Sequence, residues 1–183
     1  MQYAAAHGIT SIQNAGGSAE EFSLYEELIK NGELTLRSST AFSAGKNTTA
    51  EDIQQYLQIK KRMDKHPLLK AGAVKFMLDG VIESHTAVML SSYSDAPGSG
   101  EFALPVDTYR RLVTSFDKAG FQIYTHAIGD RSVREALNAY ENAQRINITK
   151  NKRHRIEHIE QCSPEDIPRF AKLGVIASME PIH

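Results

Sequence analysis

Phe121-Gln-Ile-Tyr-Thr-His-Ala-Ile-Gly-Asp130 is the stretch on which the fold turns. Phe121 to His126 reads as a strand, Gly129 permits a tight turn, and Asp130 is a good N-cap for the helix that runs on to about Arg145. Arg153 to Ile159 then reads as another strand. Strand, helix and strand at this spacing make a parallel βαβ unit, because parallel neighbours need a crossover long enough to hold a helix.

The alternation extends in both directions. Upstream, Pro105 starts a helix to Lys118 that Gly120 stops, and Ala73-Val-Lys-Phe-Met-Leu-Asp-Gly80 is a buried strand. Between them, Val81 to Leu104 is rich in Ser, Gly and Pro. The helix–strand rhythm resumes beyond it, which marks a functional loop more than a linker. Nearer the N-terminus, Ile9 to Gln13 is a short strand. Ser18-Ala-Glu-Glu caps an amphipathic helix carried by Phe22, Leu24, Tyr25, Leu28 and Ile29, and Asn31-Gly32 ends it. Leu34 to Phe42 is a strand, and a second capped helix runs from Thr49 until His66-Pro67 ends it. Downstream, Pro164 to Leu173 is a helix and Val175 to Met179 the last strand. The expected class is α/β: an incomplete (β/α)8 TIM-type barrel, one domain over residues 1–183, with about six parallel strands and flanking helices. A full barrel takes about 250 residues, so about two units are lacking. The end at Pro181-Ile182-His183, directly after a strand, reads as an interruption.

Composition narrows the function classes. The 183 residues are 41% hydrophobic and 23% charged, with a net charge of −1 and scattered basic residues. That gives no electrostatic footprint for nucleic acid or for an anionic membrane. No apolar run reaches the roughly 20 residues of a membrane span, and the first ten residues lack the pattern of a signal peptide. The single cysteine, Cys162, excludes an internal disulfide framework and fits a reducing compartment, so a cytoplasmic location is expected.

In a parallel α/β fold, functional groups gather at the C-terminal ends of strands. Those ends carry Asn14, Lys75, Asp79, His126, His158 and His183. Strand alternation sets Lys75, Met77 and Asp79 on one face, Gln122, Tyr124 and His126 on one face, and His154, Ile156 and His158 on one face. His126 and His158 are 32 residues apart, about one βα unit, so adjacent strands can aim both imidazoles at one point, as a metal pair requires. Two unrelated buried histidines bonded to backbone are the plainer reading of either alone. Lys75 inside an apolar strand is costly unless paired or altered. As a carbamate it becomes an anionic oxygen ligand; as a free amine it is a Schiff-base candidate or a snorkelling side chain. Glu157 has outward parity and suits an ion pair with Arg155, while His7 and His66 sit at helix ends as structural residues. No P-loop, GxSxG or HExxH motif is present.

Ile9-Thr-Ser-Ile-Gln-Asn, Val74-Lys-Phe-Met-Leu-Asp-Gly80, Tyr124-Thr-His-Ala-Ile-Gly-Asp-Arg131, Arg153-His-Arg-Ile-Glu-His158 and Gly174-Val-Ile-Ala-Ser-Met-Glu-Pro-Ile-His183 together resemble successive strand motifs of the amidohydrolase superfamily. They are most similar to its amidohydrolase-3 branch, which includes N-substituted formamide deformylase. The resemblance implies a barrel that binds one or two divalent metals, usually zinc, and uses metal-activated water on an amide or related C–N bond. It implies that His126 and His158 are metal ligands and that Lys75 takes the bridging position, carbamylated by carbon dioxide. His85 and Thr86 fall where relatives meet substrate, with Asp79 and His183 near the same pocket. The substrate class implied is a small amide-like molecule.

Two features of the family have no counterpart. The first-strand His-X-His pair is absent before Ile9, and the last-strand aspartate, the general base, would lie beyond His183. The β-sandwich made from both chain ends is missing as well. The leading expectation is therefore a partial catalytic domain. The rival is a non-catalytic remnant, or a binding or scaffold module on the same fold. Open strand edges also predict a homo-oligomer.

Overall fold

The computed structural model describes residues 1–149 and 152–181. The helices are α1 (Gln2–Ala6), α2 (Ala19–Lys30), α3 (Ala50–Met63), α4 (Val106–Lys118), α5 (Asp130–Asn147) and α6 (Ile167–Leu173). The strands are β1 (Ser11–Gly17), β2 (Arg37–Ser43), β3 (Leu69–Met77), β4 (Gln122–Ala127), β5 (Arg155–His158) and β6 (Ile176–Met179). Strand order in the sheet follows chain order from β1 to β6. The β1–β2, β2–β3, β4–β5 and β5–β6 pairings are all parallel. Sequential parallel strands with a helix between each pair are the connectivity of a (β/α) barrel, six strands' worth among the described residues.

Differences from the expected elements are local. α1 carries no periodic pattern and was not anticipated. β1 starts later and ends four residues beyond Gln13, while β3 begins at Leu69, before the expected Ala73. α2 buries Phe22 but leaves Leu24 60% exposed, so its apolar stripe is wider than the face it buries.

The chain divides into two compact units, Met1–Lys75 and Phe76 onward. In the first, Phe42 stacks between Phe22 (5.7 Å between centroids) and Tyr56 (4.2 Å). The helices that hold this core are capped as their sequences require. Ser18 Oγ accepts from Glu21 N, and Thr49 with Asp52 forms a reciprocal capping box. Lys60, Lys61 and Arg62 in the last turn of α3 complement its dipole.

The second unit holds the larger core. Tyr109, Leu112, Val113 and Phe116 of α4 and Val133, Ala136, Leu137 and Tyr140 of α5 are all fully buried. Phe76 meets Tyr109 edge-on at 5.4 Å, and Phe116 meets Phe121 likewise at 5.6 Å. Each such ring contributes about 1.5–3 kcal/mol by leaving water. Three hydroxyl-bearing side chains cross between helices and sheet: Tyr109 Oη and Tyr140 Oη both bond Thr125 Oγ1, and Tyr140 Oη donates to the Arg155 carbonyl. Thr125 therefore faces the helices, and Tyr124 and His126, its neighbours on β4, face away from them.

Candidate metal centre

His126 lies near the C-terminal end of β4 and His158 closes β5. Their ring centroids are 4.6 Å apart with planes inclined at 64°. The Nε2–H of His126 donates to the Gly80 carbonyl at 3.0 Å, with Asp79 Oδ1 3.6 Å from the same nitrogen. A carbonyl only accepts, so this bond places the proton on Nε2 and leaves the lone pair of the neutral ring on Nδ1. His158 Nδ1 stands 3.7 Å from Glu180 Oε2. His158 also lines a cleft of about 310 Å³ with Ile82, Glu160, Gln161, Met179 and Glu180.

The two histidines do not meet by simple alternation. In the parallel register Tyr124 pairs with Arg155, His126 with Glu157 and Ala127 with His158. Paired residues share a face, so His126 belongs with Arg155 and Glu157, not with His154 and Ile156. His154 indeed points to the helices, donating from Nε2 to Asp117 Oδ1 at 3.0 Å. His158 leaves that face because its φ is 74° and that of Ile159 is 59°, which takes the backbone out of the β region at the strand's last residue. The expected single face for His154, Ile156 and His158 is thus corrected. So is the outward parity of Glu157: it pairs with Arg155 as expected (2.7 Å), but on the side of the sheet that carries His126. There the Arg155 guanidinium also covers the Tyr124 ring at 3.8 Å.

Asp79, expected at the substrate, is enclosed. Its side chain accepts from Val88 N (3.0 Å), Ile128 N (3.1 Å) and Gly129 N (2.9 Å). These bonds fasten the long loop after β3 to the β4–α5 turn. At Gly129 a Cβ would stand 2.2 Å from the Val88 carbonyl oxygen, so only glycine allows that approach. The Val88 carbonyl in turn accepts from Arg131 N and Ser132 N, the open amides at the start of α5. Asp130 is the first residue of α5 and not its N-cap; its Oδ1 accepts from Leu90 N at 2.7 Å instead. Sequence reasoning saw a turn and a cap here and missed the partner loop, which lies 40 residues away.

The loop over residues 81–104 contains no regular helix or strand. Thr86 Oγ1 is occupied within it, accepting from Val81 N (3.0 Å) and bonding Ser84 Oγ (2.8 Å). His85 has φ 54°, bonds Asp95 through Nε2 at 3.1 Å and rests edge-on against Tyr93 at 4.7 Å. Both residues reach the surface: Thr86 is exposed, and the His85 side chain is 37% exposed.

In the first unit, Lys75 is half-buried on β3 and pairs in register with Ser43. Asn14 lies inside β1 and donates to Glu21 Oε1 at 2.8 Å. His183 lies outside the described residues. His7 closes α1, and His66 Nδ1 accepts from Leu68 N and Leu69 N. Burial pushes the Cys162 thiol above its ordinary range, away from thiolate chemistry. Glu180 was not anticipated, although its place directly after the β6 strand end is the same signal that singled out the others.

The donor set fits a divalent ion in part. Two imidazoles on adjacent strand ends, one with a ring nitrogen bonded to a carbonyl, are the ligand and outer partner that such ions use. Among the described residues no group of three or more His, Cys, Asp or Glu side chains converges as a complete site.

Known proteins give the same frame. The model of the amidohydrolase family Amidohydro_3 matches residues 1–183. The protein LONG AFTER FAR-RED 3 of Arabidopsis thaliana is 28% identical over all of this chain, which covers 32% of that protein. An uncharacterized metal-dependent hydrolase of Pyrococcus furiosus superposes with a TM-score of 0.76 at 23% identity, over 98% of this chain and 36% of its own. A second uncharacterized metal-dependent hydrolase, of Pyrococcus horikoshii, gives 0.73 at 20% identity, over 98% of this chain and 35% of its own. The chain thus spans about a third of the length of these relatives.

Proposed function

Since the chain belongs to the Amidohydro_3 amidohydrolase family, we propose that it carries the central part of a metal-dependent hydrolase acting on non-peptide C–N bonds of small amide-like molecules. The observation that supports this most strongly is the meeting of His126 and His158 at 4.6 Å on adjacent strand ends.

In this reading His126 Nδ1 and the His158 imidazole would hold a divalent ion, zinc being the favoured one. The ion, when bound, supplies a nucleophilic water at neutral pH by lowering its pKa to about 7. The chain's own residues orient and enclose. Gly80 O fixes the His126 ring. Glu180, beside His158 in the cleft, is the described carboxylate best placed to hold a proton or a polar substrate group. His85, at the exposed side of the 81–104 loop, is assigned to substrate contact.

One observation favours the second reading, a scaffold or binding module without catalysis: among the described residues the ligand set is incomplete. The two are separated by assaying the protein that contains this chain on a panel of N-formyl and N-acyl amines, following release of the amine. Hydrolysis that a chelator removes, zinc restores and His126→Ala abolishes supports the hydrolase. Metal-insensitive or absent turnover across the panel favours the module.

A further inference from the structure

The Asp79 carboxylate is the most completely satisfied polar group near the two histidines, yet it touches neither cleft nor solvent. Its side chain is 0% exposed. It takes three backbone N–H groups, one from the long loop at Val88 and two from the β4–α5 turn at Ile128 and Gly129. Gly80, its chain neighbour, supplies the carbonyl that receives the His126 Nε2–H. Asp79 Oδ1 adds a negative charge 3.6 Å from that same nitrogen. The peptide that carries this carbonyl is held from its other end by the Val81 N–H, which donates to Thr86 Oγ1 at 3.0 Å, and the Gly80 N–H donates to the Thr86 carbonyl at 3.0 Å.

From this arrangement we infer that Asp79 is a positioning residue that selects the tautomer of His126. With the Gly80 carbonyl locked in place as acceptor and the carboxylate's charge 3.6 Å from the same nitrogen, the ring proton is held at Nε2. The lone pair is therefore presented at Nδ1, on the other side of the ring. Outer-shell partners of this kind set ligand orientation, and their loss costs about 10- to 100-fold in metal affinity. The same carboxylate ties the 81–104 loop to the turn that follows His126, so the loop and the ligand are one mechanical body. The second half of the inference, a gain in metal affinity, rests on the function proposed above; the tautomer does not.

The experiment uses the whole chain labelled with 15N at histidine. Long-range 1H–15N correlation of the metal-free protein, with His126 assigned from His126→Gln, reads which ring nitrogen carries the proton. The expected result is a single Nε2–H form in the wild type and a mixture in Asp79→Asn, whose amide group cannot serve the same three N–H donors. Zinc titration against a competing chelator is then expected to show about 10- to 100-fold weaker binding in Asp79→Asn. A wild-type His126 protonated at Nδ1 overturns the inference without any variant. So does an Asp79→Asn chain that stays folded with its Nε2–H tautomer intact. A wild type with the Nε2–H form but no zinc binding leaves the tautomer assignment standing and removes the metal reading instead.

Discussion

His154 donates its Nε2–H to Asp117 Oδ1 over 3.0 Å, and Ile123 N–H donates to Nδ1 of the same ring at 3.1 Å. Both side chains are buried. A backbone N–H only donates, so the ring proton is fixed on Nε2. Asp117 also accepts from Asn147 Nδ2 (2.7 Å) and Thr149 Oγ1 (2.9 Å). The cluster joins the ends of α4 and α5 to the start of β5, on the side of the fold away from His126. Barrel residues at that end serve stability.

His154→Ala is expected to strand the Ile123 amide in the core, at about 1–3 kcal/mol for the unsatisfied donor alone. Urea unfolding checks this: the midpoint falls and the slope stays constant. An unchanged midpoint would mean that water replaces the ring at no cost.

Burial raises the Asp117 carboxyl, but hydrogen bonds from His154, Asn147 and Thr149 outweigh it and hold the group below its ordinary range. A depressed folded value means the contribution is present above the unfolded value of about 3.9 and is lost as pH falls through the lower, folded one. Wild-type stability should therefore drop below about pH 4 with a component that Asp117→Asn lacks. At neutral pH that variant should be less stable by about 1.5–3 kcal/mol. Parallel acid limbs in the two proteins would contradict the assignment.

Gly129→Ala is expected to be among the most damaging small changes, at about 3 kcal/mol or more, because the new Cβ meets the Val88 backbone. Gly72→Ala is the control. Its Cβ would have nothing within 4 Å, so a shift within about 1 kcal/mol, toward greater stability, is expected. Thermal unfolding of both variants decides, and equal effects would refute the close-approach argument.

β1 and β6 stand at the two ends of the strand order, and β1 is exposed along most of its length. Such edges offer unpaired amides and carbonyls to another chain. Light scattering of the isolated chain is expected to give a mass above the 20.3 kDa of one copy. A monomer persisting at high concentration would contradict this.

Much of the connectivity could be read from residues alone. Ser18 announced its helix through a glutamate three residues on, and the strand at Phe121 was apolar enough to place. The His126–His158 pairing was legible from spacing but not from parity. Alternation assumes that β5 stays extended through its last residue, and His158 does not. Asp79 and Asp130 escaped for another reason. A carboxylate at a strand end or helix start suits a ligand, a cap or a long-range backbone anchor equally well, and only the loop folded against it selects the third. Gly129 was readable as a turn glycine, whereas its contact with Val88 required knowing where the 81–104 loop returns.

The most direct test of the central claim is the metal content of the purified chain, measured by mass spectrometry after expression with added zinc and bicarbonate. The account predicts about one metal per chain in the wild type and none in either His126→Ala or His158→Ala, both still folded by circular dichroism. A wild type that retains no metal, or variants that retain it fully, would contradict the claim that these two imidazoles form a metal-binding half-site.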